Sequence, residues 1–429
     1  MPDHGLNQRG HNTFRGPGPA GVRGTHYARR LVRDQYRRTV RDNHTERQPG
    51  SVGEHSVQPR RTGAVWLGHI SDVGTVYLSH RHDSIRETIG RAAQAIRDPE
   101  MHRHGVSQPD NVAAVRTNKL GRSAVEVTQL GFGGGPLGGL YAPVTDDDAA
   151  RALQTAWDNG IRYFDTSPHY GLGHSERLIG EFLRHQPRDE FALSTKVGRL
   201  LVPQDAAGRM DPVGFRVPAA HRRVWDFTRD GVRRSVEDSL TRMGLDRIDV
   251  LFLHDAEEHF EDALRDGYAA LAELRAEGVV GAIGAGMYDT TMLTRLVRET
   301  DVDVLMQSGR STLLEHSAFD ELLPLCAERG VSVIAASVFQ SGLLATPRPT
   351  EDAQYDYAPA SPEMVQRVQR IADVCEAHGV TVPQVAMAFP LRHPAVVGIV
   401  VGMRSAEEAR RNVELFDADI PVEVWDDLN

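Results

Sequence analysis

Lysine is almost missing from this chain. Of its 49 Lys and Arg residues, only Lys119 and Lys196 are lysine. Arginine therefore serves wherever a positive charge is enough. A retained Lys is a candidate for a task Arg cannot perform, because Arg never deprotonates and carries a broad planar fork, whereas Lys is a compact, tunable point charge. Cysteine is equally scarce. Cys326 and Cys375 are the only two, too few for a disulfide framework and without metal-site spacing, which fits a reducing cytoplasm and two small buried apolar residues. No run approaches the roughly 20 apolar residues of a membrane span. The opening MPDHGLNQRGHNTFRG has neither the apolar core nor the cleavage pattern of a secretory signal. The expectation is a cytoplasmic protein with no membrane partner.

Acidic charge is scarce only at the front. Residues 1–118 hold 18 Arg, no Lys, 11 acidic residues and 10 of the 19 His, a net +7 against −17 for the remainder. A basic arm can bind nucleic acid. Here the Arg are scattered, with no aromatic-basic stacking platform and no zinc spacing, so nucleic acid is not expected as a partner. The Gly, Pro, Gln, Arg and His content over 1–117 shows no sustained period, and a disordered extension is expected there. Met101 offers an alternative: a true start downstream of the assigned one.

From residue 118 to 429 the texture changes. Short apolar runs at 127–131, 163–165, 192–195, 250–253, 282–284, 304–307, 332–335 and 398–401 read as strands. Between them, helical patterns cover 146–159, 175–184, 229–243, 263–277, 290–299, 319–329 and 362–378. Gly160, Gly244, Gly278, Gly330 and Gly379 stand where a helix C-cap needs a left-handed residue. Eight strands alternating with helices predict an α/β fold, a (β/α)8 TIM barrel; a doubly wound open sheet is the competitor. The stretch 202–226 is expected to be a loop over the barrel mouth.

In such a barrel, chemistry gathers at the C-terminal strand ends. Asp165 ends the second strand in RYFDTSPHYG, with Tyr170 in the same loop. Lys196 ends the third in FALSTKVG, and His254 the fourth in DVLFLHD. Tyr is a poor acid or base near neutrality because its reference pKa is about 10. A neighbouring ammonium lowers it; reaching 7 takes on the order of 4 kcal/mol, at about 1.4 kcal/mol per unit. Asp165 would aim Lys196, and His254 would place the substrate oxygen and assist proton transfer. Each also has an ordinary reading: a capping Asp, a loop Tyr, a surface Lys, a core His. Their joint arrival at three successive strand ends favours the functional one. No nucleophile elbow, phosphate loop or HExxH zinc motif competes, and no metal is expected. GFGGGPLGG (131–139) looks like a phosphate loop but lacks the acidic residue of a dinucleotide fold. It reads better as the first strand-to-helix loop, keeping side chains away from a ligand.

At these residues the chain resembles the aldo-keto reductase family. KLGRSAVEVTQLGFGGGPLGGLY, YFDTSPHYGLGHSERLIGEFL, STKVGR, LFLHD and VVGMRSAEEARRNVELF carry the resemblance, in the family's order, over 119–416. It implies the barrel, a nicotinamide cofactor held without a Rossmann domain, and the tetrad Asp165, Tyr170, Lys196 and His254. GGGPLGGLYAPV, SPHYGLGHSE, GRSTLLE, FQSGLLA and YDYAPAS look closest to the family's aldose 1-dehydrogenases. These act on L-fucose, D-arabinose or D-galactose and yield the lactone. A pyridoxal dehydrogenase, an NADPH-dependent aldehyde or ketone reductase and a non-catalytic cofactor-sensing subunit are the alternatives.

By the same resemblance, Gln307 or Ser308 would hold the carboxamide, and Ser405 and Asn412 would meet the adenosine. Gly402 would lead into a helix N-terminus suited to phosphate. Members that use NADP(H) usually carry a cation where Gly402 stands and an Arg where Glu408 stands. A carboxylate repels a 2′-phosphate but accepts from a free 2′-hydroxyl. NAD is therefore expected, with NADP possible because Arg404, Arg410 and Arg411 lie nearby. Three departures stand out: Ser311 where the family stacks a Tyr on the nicotinamide, Tyr288 in place of an Asn, and Gln340 in FQSG. His169, Trp225 and Tyr141 are candidates for substrate specificity.

Overall fold

The computed structural model describes residues 116–350, 352–356 and 358–428. The extension expected over 1–117 and the alternative start at Met101 lie outside the described residues, apart from 116 and 117. Eight parallel strands close into a barrel. They are β1 (Leu130–Gly133), β2 (Tyr163–Asp165), β3 (Ala192–Val197), β4 (Val250–His254), β5 (Ala282–Met287), β6 (Val304–Ser308), β7 (Ser332–Ala336) and β8 (Val396–Gly402). Pairing runs in chain order, and β8 returns to β1 with Val400 opposite Gly131. This closure rules out the open sheet: no strand edge of the barrel is left unpaired.

The helices are α1 (Asp146–Asp158), α2 (His174–Leu183), α3 (Arg229–Met243), α4 (Tyr268–Ala276), α5 (Thr290–Glu299), α6 (Leu322–Arg329), α7 (Pro362–Ala377), α8 (Val382–Ala388) and α9 (Ala406–Phe416). Local chemistry sets their ends. Thr145, Thr228, Asp289, Ser361 and Ser405 each accept a first-turn N–H with a side-chain oxygen. The five expected cap glycines all have positive φ. Two expectations change. The helix expected over 263–277 begins with a π segment at Ala263–Gly267, whose wider turn adds a residue before α4. The expected loop over 202–226 is instead the far part of an antiparallel hairpin, Arg199–Pro203 paired with His221–Trp225. Its polar HRRVW strand carries no apolar alternation, so cross-strand pairing rather than periodicity defines it.

Two apolar layers build the barrel, beside a third cluster that includes Leu343, Val368 and Val385. One lies between the strands and the surrounding helices and includes Leu153, Ile179, Val236, Leu271, Leu296 and Leu323. The other fills the barrel, with Tyr163, Phe252, Val304, Met306, Ile334 and Val400 pointing inward. Its floor is a short hairpin, Thr117–Lys119 with Glu126–Thr128, which contributes Leu120 and Val127. Cys326 and Cys375 are free and buried as expected; burial pushes their thiols up to about 12 and about 11. No described helix is long and apolar enough to cross a membrane.

With the floor sealed, polar inward side chains collect at the other end. Strand periodicity of two then decides which ones. Tyr163 and Asp165 share an inner face on β2, Ser194 and Lys196 on β3, and Phe252 and His254 on β4. The barrel wall tolerates little change. A Cβ at Gly284 of β5 would lie 1.6 Å from the Val304 carbonyl oxygen of β6. Gly284→Ala is expected to cost at least about 3 kcal/mol by forcing the two strands apart. Urea unfolding measures this, and a loss under about 1 kcal/mol would contradict so tight a contact.

Candidate active site

Lys196 is the centre. Its ammonium donates to Asp165 Oδ2 at 2.6 Å, the Thr166 carbonyl at 3.0 Å and Tyr170 Oη at 3.1 Å. These are the three hydrogen bonds an ammonium can make. Both side chains of the Lys196–Asp165 pair are almost fully buried, at 2 % and 3 % exposure, so every donor must be matched. Asp165 is fixed in turn: Ser194 Oγ donates to its Oδ1 at 2.6 Å, and Tyr163 Oη lies 2.9 Å from Ser194 Oγ. Ser194 and Tyr163 were not among the expected site residues. Their signal was available, since each sits two positions before a tetrad residue on the same strand face.

Tyr170 reaches Lys196 through a tightly packed turn. A Cβ on Gly138 would fall 2.6 Å from the Tyr170 carbonyl carbon, and one on Gly171 (φ +62°) 2.2 Å from the Gly138 oxygen. Part of the GFGGGPLGG cluster therefore serves to let the β1 loop press against the Tyr170 backbone. This packing role for Gly138 is additional to the expected one of keeping side chains away from a ligand. The ammonium has no acceptor capacity, so Tyr170 Oη accepts from Lys196 and directs its own proton elsewhere. Enclosure raises the Tyr170 phenol well above its usual range, and the carboxylates of Asp165 and Asp255 add to this. The expected lowering toward 7 by Lys196 is not seen: burial dominates, and the Asp165 carboxylate that pairs with Lys196 acts in the raising direction.

His254 sits beside Tyr170 with ring centroids 5.8 Å apart and planes at 89°. Its Nδ1 lies 3.0 Å from Ser167 Oγ, which accepts from the His169 amide at 3.1 Å. With Ser167 donating to Nδ1, the ring proton belongs on Nε2, which also faces Asp255 Oδ2 at 3.4 Å. Burial, then the charges of Arg199 and Lys196, push His254 well below its usual range. The same burial, with Arg199 and Arg223, pushes His169 down to about 2. Both imidazoles are neutral donors or acceptors rather than cations.

The hairpin closes over this group. Phe215 packs against His169 at 5.5 Å and Tyr170 at 6.3 Å. Arg223 holds Asp211 through both carboxylate oxygens and donates to the His169 carbonyl at 2.7 Å. Trp225 lies under the Arg199 guanidinium at 4.1 Å. Tyr141 is 43 % exposed and left-handed at φ 67°. Thus His169 and Trp225 border the site, and Tyr141 lies near Ser341 and Arg404.

The residues expected to meet a cofactor divide. Gln307 and Ser311 have no exposed surface. Gln307 Oε1 accepts from the Arg310 amide and Ser311 Oγ, and its Nε2 donates to the Ser308 carbonyl. Ser311 therefore braces Gln307 and lacks a surface on which a ring could stack. Ser308 Oγ pairs with Ser337 Oγ at 2.9 Å. Gln340 is also buried and donates to the Gly309 carbonyl and Thr312 Oγ1. Tyr288 stands under Arg310 at 5.4 Å. At the end of β8 the picture is more open. Gly402 leads to Arg404, then to Ser405 capping α9, with Asn412 buried on that helix. Glu408 accepts from the Arg404 amide at 2.9 Å, and Arg404 Nε lies 3.2 Å from Glu408 Oε1 without hydrogen-bond alignment. A cation with an unaligned buried N–H at a helix N-terminus suits an anionic group such as a dinucleotide phosphate. Among the described residues, no group of His, Cys, Asp and Glu is arranged to hold a metal ion.

Comparison with known proteins agrees with this geometry. Residues 129–429 match the model of the Aldo/keto reductase family. A D-threo-aldose 1-dehydrogenase from a Pseudomonas species is 46 % identical over 310 residues, 71 % of this chain and 94 % of that protein. A pyridoxal 4-dehydrogenase from Microbacterium luteolum is 40 % identical over 336 residues, 74 % of this chain and 98 % of that protein. An aldo-keto reductase structure from Bacillus halodurans superposes with a TM-score of 0.60 at 23 % identity, covering 73 % of this chain and 95 % of that one, which bears on the fold alone. The chain belongs to the aldo/keto reductase family and is an oxidoreductase that acts on CH–OH groups with a nicotinamide cofactor.

Proposed function

We propose that this protein oxidises the anomeric hydroxyl of an aldose, such as L-fucose or a D-threo-aldose, to the lactone, with NAD+ as the hydride acceptor. The observation that carries the catalytic half is the Lys196 ammonium, shared among Asp165, Thr166 and Tyr170. Tyr170 takes the hydroxyl proton, Lys196 stabilises the phenolate that results, and Asp165 holds Lys196 charged and aimed. His254 donates from Nε2 to the reacting oxygen and orients it. A bound nicotinamide would supply the hydride acceptor. Gly402, Arg404, Ser405 and Asn412 would hold its phosphate and adenosine end. Gln307 and Ser308 would serve the carboxamide end through the backbone they brace. The aldose assignment is supported by the 46 % identity to a D-threo-aldose 1-dehydrogenase. The 40 % identity to a pyridoxal 4-dehydrogenase keeps pyridoxal as the second candidate.

The preference for NAD+ rests on Glu408. Its pairing with Arg404 cancels part of the repulsion a 2′-phosphate would meet, so the discrimination is expected to be moderate. A panel of L-fucose, D-arabinose, D-galactose and pyridoxal, each with NAD+ and NADP+, should show kcat/KM at least about tenfold higher for a sugar with NAD+, as one charge contact provides. Comparable turnover with both cofactors would defeat the NAD assignment, and pyridoxal alone as substrate would defeat the aldose one.

Tyr170→Phe should lower kcat at least about 100-fold while cofactor-induced thermal stabilisation persists. Lys196→Arg should be nearly as inactive, because a planar fork cannot reproduce three convergent ammonium bonds. Near-normal rates in either variant contradict the mechanism.

The raised Tyr170 phenol sets the pH dependence. Below its pKa the phenolate fraction grows tenfold per pH unit. Oxidation should therefore accelerate with pH, with log(kcat/KM) rising at about unit slope from pH 7 past 9. A plateau near pH 7 would show that Lys196 rather than burial controls the phenol.

A further inference from the structure

Asp255 follows His254 directly, yet the tetrad chemistry does not use it. Its backbone is left-handed at φ 40°, an unusual conformation for a residue with a side chain. Strain of this kind persists only where surrounding bonds impose it. Here the Asp255 amide is held by the Gly286 carbonyl at 2.9 Å, an extension of the β4–β5 pairing. The consequence is a carboxylate turned back over the catalytic imidazole, with Oδ2 3.4 Å from His254 Nε2. Arg199 reaches the same oxygen at 3.0 Å from the first strand of the hairpin. Arg199 is itself fixed by Trp225 at 4.1 Å, and its side chain is 12 % exposed. Asp255 retains 35 % exposure, so the carboxylate is not used up by this pair.

We infer that Asp255, held by Arg199, is a substrate-recognition residue that accepts a hydrogen bond from the hydroxyl on the carbon next to the reacting one. The inference rests on the aldose reading above. His254 Nε2 marks where the reacting oxygen sits. Neighbouring hydroxyls on a sugar ring lie about a hydrogen-bond length apart, as Nε2 and Asp255 Oδ2 nearly do. A carboxylate accepts and a guanidinium donates. The pair therefore matches a hydroxyl that gives its proton to Asp255 and can receive one from Arg199. Such a site discriminates strongly against an analogue lacking that hydroxyl, because the carboxylate is then left without its partner. The two residues arrive from different segments, β4 and the hairpin, so recognition is assembled only when the hairpin is folded over the mouth.

The test compares L-fucose with 2-deoxy-L-fucose, which differ only at that hydroxyl, using the full chain and NAD+. Asp255→Gly removes the carboxylate and suits the left-handed backbone. The ratio of kcat/KM for L-fucose over 2-deoxy-L-fucose is expected to fall about 10- to 100-fold, the value of one charged hydrogen bond, mostly through KM. Arg199→Gln should lower the same ratio by a smaller factor. Circular dichroism and thermal melting check that both variants are folded. If Asp255 only braces the hairpin, both sugars lose equally and the ratio stays constant, which overturns the inference alone. If the wild-type protein oxidises none of L-fucose, D-arabinose and D-galactose, the aldose reading fails and the inference falls with it; where another of these is the better substrate, the same ratio is taken between that aldose and its 2-deoxy form. A ratio near one in the wild type also overturns the inference, since no recognition of that hydroxyl then exists.

Discussion

The site depends on one buried ammonium. Lys196 lies inside the barrel mouth, where an unmatched charge would cost several kcal/mol. It is satisfied by a carboxylate, a backbone carbonyl and a phenol oxygen, one for each proton. This explains why a chain so committed to Arg keeps Lys here. A guanidinium is flat, wider, and spreads its donors outward, whereas these three acceptors converge on a point. The same arrangement constrains its neighbours. Asp165 cannot rotate because Ser194 holds its other oxygen, and Tyr170 cannot turn its proton toward Lys196.

From that constraint the electrostatics follow. Enclosure dominates at the phenol, the Asp165 and Asp255 carboxylates add to it, and Tyr170 rests protonated. In this resting state Tyr170 is a proton donor. In the proposed oxidation it would act as the base only as solution pH or a bound positive charge favours the phenolate. His254 and His169 are kept neutral by burial and by nearby Arg and Lys charges. The mouth thus holds its cations on Lys196, Arg199 and Arg223 and leaves the imidazoles free to donate single, directed hydrogen bonds.

Much of this was legible in the sequence because barrels convert strand order into geometry. The apolar runs located seven of the eight strands, while the first run, 127–131, merged a strand of the floor hairpin with the start of β1; the positive-φ glycines marked five helix ends, and the strand-end polar residues met in space. What escaped notice was non-local. The hairpin at Arg199–Pro203 and His221–Trp225 has no apolar alternation, and its partner strand lies across a long excursion. Asp255 looks like an ordinary loop acid until its backbone conformation is known. Gln307 is expected at the carboxamide by resemblance, but the sequence does not show that its side chain accepts from Ser311 and the Arg310 amide. Pattern shows which face a residue occupies; it does not show which neighbour has already claimed its hydrogen bonds.

The division of labour is also physical. Asp165, Lys196 and His254 end consecutive parallel strands, the stiffest places in the fold, and Tyr170 is clamped by Gly138 and Gly171. Proton transfer needs this rigidity, because its rate falls steeply with small misplacements. Phe215, Arg223 and Arg199 come from the hairpin, which joins the barrel through side-chain contacts and short bridges rather than through the barrel's hydrogen-bond ladder. Asp255 is the point where the two systems meet: its backbone belongs to the β4 end, and its carboxylate to the hairpin's Arg199. A single residue tied to both would give the hydroxyl pattern of the proposed substrate direct access to the position of the His254 imidazole.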